Sequence, residues 1–422
     1  MTLAHPTKAG ARDWAGLAVL TLPCVLVSMD ISVLYLALPL LSADLAPTAT
    51  QTLWIVDVYG FLLAGFLLER FWWGSVFLLN TPVMLALLVA APLLVPEHRD
   101  PAPGRLDLAG VALSLAAVLP VVYGVKLLAE DDPGWAAPVA VASGLAAGAL
   151  FARRQARSAH PLIDPGLLRS RTVAVPLAVN SLTMFALVGV MLFTAQYLQL
   201  VAGLGPPAAA LWMLPAMLAT VAGVAAATVL ARRLSLGAVI ATGLTTAVAG
   251  LLAATRLEVG SSPAFLVGCA GVLAAGVGMV ATSATDAVVA GAPPERAGGV
   301  SALSEAGTEL GGALGVAVLG TIAAAVYRAR SAPPYLPEVP GEPAASARET
   351  LAGAVAAAAQ APPYLREPML EAAFAAFVSG LRVTCLVAAA VLACAAVLAA
   401  VLLRKARPGA PSPQPHRDPP AG

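Results

Sequence analysis

Apolar stretches of about 20 residues follow one another from residue 14 to residue 403, each nearly free of charge. About 20 apolar residues are what a helix needs to cross the hydrocarbon core of a bilayer, and a helix satisfies its own backbone hydrogen bonds there. The candidate spans are 14–40, 74–95, 107–129, 134–151, 172–199, 207–230, 236–255, 263–290, 299–327 and 378–403, with 53–68 as a shorter, ambiguous stretch. Over 422 residues, charged side chains make up only 11%, against roughly 25% in a soluble domain. The apolar–polar alternation of a transmembrane β-barrel is absent from the sequence. The expected fold class is all-α, a polytopic transmembrane helical bundle of about 10–11 spans. The first apolar run has no clear small-residue cleavage site and is read as a retained span rather than a signal peptide.

Lysine and arginine gather on the cytoplasmic side of membrane proteins. Here the clusters are Arg99/Arg105, Arg153/Arg154/Arg157/Arg169/Arg171, Arg232/Arg233, Arg296 and Arg404/Lys405/Arg407, and they alternate with cation-poor connections such as "AEDDPGW" and "AGLGPP". The alternation places residues 96–107 and the C-terminal tail in the cytoplasm, and Lys8 and Arg12 place the N-terminal tail there too. An even number of crossings must then separate the N-tail from residues 96–107, and spans 14–40 and 74–95 already supply two. Residues 53–68, about 16 residues ahead of Glu69–Arg70, are therefore expected not to cross. They are re-entrant, lie at the outer surface, or are the remnant of something longer. By the same parity the Pro- and Ala-rich loop near 328–372 is external, and "SARETLAGAVAAAAQ" within it predicts a surface helix with a capping-box start at Ser346 and Glu349.

Several chemistries lack their residues. The three lysines, Lys8, Lys126 and Lys405, follow no glycine-rich phosphate loop, and the four histidines, His5, His98, His160 and His416, all fall in tails or loops. An intramembrane Ser–His protease or a His-ligated zinc centre at the midplane has no imidazole to use. An enzyme is not expected, nor a cofactor, and a net charge of +1 leaves no footprint for nucleic acid. Cys24, Cys269, Cys385 and Cys394 all lie in apolar runs and read as small buried hydrophobes.

What remains is a sparse set of carboxylates inside apolar spans, where charge is expensive and marks a wet cavity or a proton path. Desolvation raises a carboxyl pKa towards neutrality, which suits a proton-coupled carrier. Asp30 sits about two-thirds through the first span, in "VSMDISVLYLALP", and Asp57 in "LWIVDVYG". Glu305 and Glu309, in "ALSEAGTELGGALGVAVLG", are spaced i,i+4 and share one helix face, so they should titrate together. Asp286 is read as a cap or a partner of Arg296, and Glu69–Arg70 as a self-neutralising pair. Gly307, Gly311, Gly312 and Gly315 line one side of the helix that carries the glutamates, and Gly311 with Gly315 makes a small-xxx-small pair for close packing. Asn180, Gln196 and Gln199 either hydrogen-bond substrate or bridge helices, with bridging the favoured reading, and Trp14, Trp54, Trp72, Trp73 and Trp135 are read as interfacial anchors.

These residues also carry a resemblance. "LPCVLVSMDISVLYLALPLLSADL" followed by "QTLWIVDVYGFLLAGF" resembles the first two helices of the fourteen-helix drug:proton antiporters of the major facilitator superfamily. "FWWGSVFLLNTPVML" is similar to the start of their sixth helix, "HPLIDPGLLRSRT" to the loop before their ninth, and "PPERAGGVSALSEAGTELGGALGVAVLG" to their thirteenth. The resemblance implies that Asp30, Asp57 and Glu305 take part in recognising cationic drugs and in proton coupling, with Glu309 at a second acidic position. It also exposes a departure. The loop G-x-L-x-D-R-x-G-R-(R/K) and the signature G-P-x-x-G-G that the family carries around helices three to five are both missing. "LLAGF" runs almost directly into "LLERFWWGS", so on the order of a hundred residues are lost across a join near Gly65–Leu68, and 53–68 becomes a fused stub of two helices.

The expected organisation is a truncated N-terminal bundle over 1–96, two linker spans and a cytoplasmic loop over 97–171, a C-terminal bundle over 172–403 and a disordered tail over 404–422. The expected function is proton-coupled efflux of hydrophobic or cationic drugs by a monomer in the cell inner (plasma) membrane, with small hydrophobic or cationic substrates, protons and the lipid bilayer as partners. The alternative is an internally deleted, transport-defective remnant of such an antiporter, since alternating access needs two bundles to rock against each other.

Overall fold

A computed structural model of the chain describes residues 107–127, 134–158, 169–291, 297–331 and 342–403. Every regular element among them is helical. In chain order these are α1 (Leu108–Leu127), α2 (Ala136–Arg157), α3 (Arg171–Gln196), which continues into a π-helical turn (Tyr197–Val201), α4 (Pro206–Leu230), α5 (Leu236–Ala254), α6 (Pro263–Ala290), α7 (Ala297–Arg330), α8 (Glu342–Glu349), α9 (Leu351–Gln360) and α10 (Pro363–Leu402). Seven of them, α2 to α7 and α10, are long and apolar enough to cross a membrane. The expected spans 14–40 and 74–95, the ambiguous stretch 53–68 and the tail after residue 403 lie outside the described residues.

Helices α1 to α7 begin and end within a few residues of the expected spans, because charge and turn residues mark both ends. Two expectations are corrected. The helix that holds the last expected span, 378–403, begins at Pro363, so α10 is 40 residues long. At about 1.5 Å per residue it reaches about 60 Å, twice a hydrocarbon core. Its first turns carry Arg366, Glu367 and Glu371, which hid their helicity from a search for apolar runs. The second correction is to the capping box. Ser346 lies inside α8, and the helix that follows starts at Thr350, whose hydroxyl accepts the Gly353 amide at 3.0 Å. Thr350 is the N-cap, and α9 stops at Ala361, just before Pro362.

The described helices sort into two compact units. One comprises Asp107–Val190, Pro215–Ala323 and the chain from Val378. Little hydrophobic force drives helices together in lipid, so close backbone approach and hydrogen bonds must hold this unit. Glycine supplies the approach. On α5 the buried stripe Gly237, Ile240, Gly243, Leu244, Ala247, Gly250, Leu251 and Ala254 follows the helical period. It packs on α6, where a Cβ on Gly250 would stand 2.6 Å from the Leu273 nitrogen and one on Gly243 2.9 Å from the Gly276 oxygen. The opposite side of α6 meets α4, where a Cβ on Gly223 or Gly278 would overlap the carbonyl of Ala275 or Thr220. Helices α1 and α2 form a hairpin, with Gly124 against Ala137 and Gly144 against Ala117. Asp107 closes this hairpin: it caps α1 by accepting the Gly110 amide at 2.9 Å and pairs with Arg154 of α2 at 2.7 Å. The Arg154 guanidinium and the Gly110 amide hold the Asp107 carboxyl below its usual range.

The other unit comprises Met191–Leu214 and Ala324–Phe377 among the described residues. Here α9 lies on the π-turn that ends α3, and Phe193 of α3 meets Phe377 of α10 with ring centroids 6.2 Å apart. The end of α7 supplies what α8 lacks. The last carbonyls of a helix have no partner within it. The Tyr327 hydroxyl lies 3.1 Å from the Ala347 oxygen and 3.2 Å from that of Thr350, and the Ser331 hydroxyl donates to Arg348 at 3.0 Å.

Candidate functional site

Of the four carboxylates singled out in the sequence, the structure places two. Glu305 and Glu309 both lie on α7, one turn apart, with exposed side chains. Asp30 and Asp57 lie outside the described residues, as do Glu69 and Arg70. Asp286 is exposed near the end of α6, and Arg296 is outside the described residues. Among the described residues no group of three or more His, Cys, Asp or Glu side chains gathers where a metal could be held.

The face of α7 beside the glutamates is fixed against α3. A Cβ on Gly311 would overlap the carbonyl oxygen of Ser181, and one on Gly315 that of Phe185. A Cβ on Gly307 would stand 2.8 Å from the Ser181 hydroxyl, and from the other side one on Gly189 would stand 3.1 Å from the Gly315 oxygen. The small-xxx-small pair of the sequence is therefore a seam where Gly311 and Gly315 set backbone on backbone and Gly307 adds a side-chain contact. Leucine or valine at Gly311 or Gly315 would force the helices apart.

Thr308 sits at the border between this seam and the glutamates. At about 100° per residue its side chain leaves α7 roughly 60° from Glu305 and 100° from Glu309, next to the direction of Gly315. Its hydroxyl donates to the Ser304 carbonyl at 2.9 Å and accepts the Asn180 side-chain amide of α3 at 3.0 Å. Asn180 thus bridges helices, as expected, and it is 6% exposed. Its side-chain oxygen, buried in the same place, has no hydrogen-bond partner among the described residues. Thr308 was not picked out in the sequence, although its place between two glutamates was the available signal.

Arg382 was also passed over. It is half-buried on α10 and donates through Nε to the Leu257 carbonyl, just past the end of α5. Thr321 of α7 donates to the Val125 carbonyl at 3.1 Å, one of the orphan acceptors at the end of α1. Cys269 and Cys385 are buried free thiols, as the sequence suggested, whereas Cys394 is exposed on α10. Trp135 stands 86% exposed at the start of α2.

Comparison with known proteins gives this arrangement a family. The sequence model of the Major Facilitator Superfamily matches residues 57–316. The chain is 33% identical to the multidrug efflux pump LfrA of Mycolicibacterium smegmatis over 94% of this chain and 98% of that protein. It is 30% identical to the tetracenomycin C resistance and export protein of Streptomyces glaucescens over 84% of this chain and 67% of that one. The first alignment runs over 498 positions while this chain contributes 94% of its 422 residues, so about a hundred aligned positions have no counterpart here. Among solved structures, a bacterial homologue of the human lysosomal transporter Spinster covers 95% of this chain at 16% identity and a TM-score of 0.42, too low a likeness for comparing helix positions. A helical multi-pass architecture, a family match over more than half of the chain and a relative similar along nearly its whole length lead to one conclusion: this chain belongs to the Major Facilitator Superfamily and is a membrane transporter.

Proposed function

We propose that this transporter exports hydrophobic, often cationic compounds in exchange for protons. The observation that carries the reading is the pairing of Glu305 and Glu309, one turn apart on α7 and both exposed among the described residues. Two carboxylates one turn apart concentrate negative charge on one edge of the helix, where a proton and a cationic substrate compete for the same groups. Exchange of the two is the essence of an antiporter. The names of the relatives, an efflux pump and an export protein, support the direction of transport. Asp30 and Asp57 complete the acidic set in this reading. The arginine clusters orient the chain in the inner (plasma) membrane with both termini in the cytoplasm, and a monomer suffices.

The surplus of aligned positions in the first relative favours a second reading: a transport-defective remnant that inserts and binds but does not transport. We assign the deficit to the join near Gly65–Leu68, where the family's third to fifth helices are missing from the sequence. Dye efflux from proteoliposomes under an imposed pH gradient separates the two. Gradient-driven efflux by the whole chain, lost in Asp30→Asn and in Glu305→Gln, supports the exporter. Absence of efflux from a folded, inserted protein that still binds dye supports the remnant.

A further inference from the structure

Arg382 carries a charge into a membrane helix, and only part of that charge is used. Its Nε donates to the Leu257 carbonyl, just past the end of α5. Among the described residues its two terminal nitrogens take no hydrogen bond and no ion pair, and they are not enclosed. Two contacts between α5 and α10 fix its depth. At one end Arg382 meets Leu257; at the other, a Cβ on Gly237 would stand 2.9 Å from the Leu403 Cβ. The helices run antiparallel between these points, with about 20 residues of each, or about 30 Å. That is the thickness of a hydrocarbon core. Gly237 follows Arg232 and Arg233, and Leu403 precedes Arg404 and Lys405, so those ends lie in one headgroup layer and Arg382 in the other. Arg256 and Glu258, both exposed beside Leu257, offset each other and leave Arg382 as the surplus charge there. From Arg382 towards the cytoplasmic end, α10 carries no further charge, and Leu386 and Val397, within about 60° of Arg382 around the helix, are exposed.

We infer that Arg382 holds the phosphate of a membrane phospholipid in the layer opposite the arginine clusters, with an acyl chain along α10 at Leu386 and Val397. The terminal guanidinium N–H groups form a planar fork that matches two phosphate oxygens. A cation at the edge of the hydrocarbon without a counter-ion is costly, and its apolar stem favours reaching for the headgroups. In a layer whose connections are poor in charge, the lipid phosphate is the anion at that depth. Arg382 thus ties three things together: the end of α5 through Nε, α10 through its own backbone, and a lipid through its remaining nitrogens. This holds whichever compounds are transported.

The test is arginine labelling by phenylglyoxal of the purified, delipidated whole chain in detergent, mapped by peptide mass. The probes are dioctanoyl phosphatidylglycerol, dioctanoylglycerol with the same chains and no phosphate, and inorganic phosphate. The expected result is a several-fold loss of labelling at Arg382 with phosphatidylglycerol and none with the other two. Native mass spectrometry adds a count. Arg382→Gln, which keeps a donor for Leu257 but no charge, should retain one phosphatidylglycerol fewer than the unaltered chain, while lipids on the cytoplasmic arginines stay. If that variant does not fold, the labelling of the unaltered chain decides alone. Labelling of Arg382 that ignores phosphatidylglycerol overturns the proposal, as does an Arg382 that is unreactive without lipid. Equal protection by dioctanoylglycerol overturns the role of the phosphate. Equal protection by inorganic phosphate reveals a free-anion site and overturns the lipid. An unchanged lipid count in folded Arg382→Gln overturns the role of Arg382.

Discussion

The Cα of Gly311 lies so close to the backbone of Ser181 that a single added methyl would overlap the Ser181 carbonyl oxygen. The overlap is with backbone rather than with the far end of a flexible side chain, so it can be relieved only by moving a helix. Gly311→Ala and Gly315→Ala should each destabilise the protein by about 1–3 kcal/mol or more. Gly268→Ala on α6, where an added Cβ meets nothing within 4 Å, should be neutral or slightly stabilising through helix propensity. Thermal unfolding of the three variants in one detergent checks the ranking.

The Asp107–Arg154 pair gives a pH dependence with a definite sign. Arg154 and the Gly110 amide lower the carboxyl pKa in the folded chain from the ordinary 3.8. Linkage then places the stabilisation above the unfolded value, and it is lost as pH falls through the lowered folded value. Asp107→Asn should melt below the wild type at neutral pH, and the difference should close once the pH is low enough to protonate Asp107 in the folded protein. Melting curves for both proteins across an acid titration measure this.

Tyr327→Phe should loosen α8 without disturbing the membrane helices. It leaves the Ala347 and Thr350 carbonyls without their shared donor, at a cost of about 1 kcal/mol. The expected outcome is faster amide hydrogen exchange over residues 342–361 and unchanged exchange over α5 and α6.

Thr350→Ala and Ser346→Ala distinguish two candidate helix starts. Removing the observed N-cap should cost about 1 kcal/mol and show as faster exchange at Gly353. Ser346→Ala should leave that amide unchanged, because Ser346 lies within a helix turn and not at its start.

The type of the described helices and the bounds of α1 to α7 were legible because the boundaries coincide with local chemistry: Asp107 before α1, Ser235 before α5, Pro263 opening α6; α8 was not expected as a separate helix. The early start of α10 was not. Its first four turns are helical but charged, and hydropathy registers lipid exposure rather than helicity. The capping-box reading failed for a related reason. Ser346 and Glu349 have the right spacing, but Tyr327 and Ser331, distant in sequence, hold the carbonyls of an earlier helix through Ala347 and Arg348 and move the start to Thr350. The site was partly legible. The i,i+4 spacing of Glu305 and Glu309 and the four-residue glycine repeat are one-dimensional facts and could be read directly. The partnership of Asn180 with Thr308 joins positions 128 residues apart, and nothing in either local sequence announces it.

The glycine seam divides α7 lengthwise into two stretches with opposite tolerance for change. At Gly311 and Gly315 any added side chain meets the backbone of α3, and heredity can alter neither without moving a helix. Along Ser301, Glu305 and Glu309 the side chains are exposed. If that edge is the substrate face proposed above, a lineage of such chains can change what it accepts by point substitutions there while keeping the same frame.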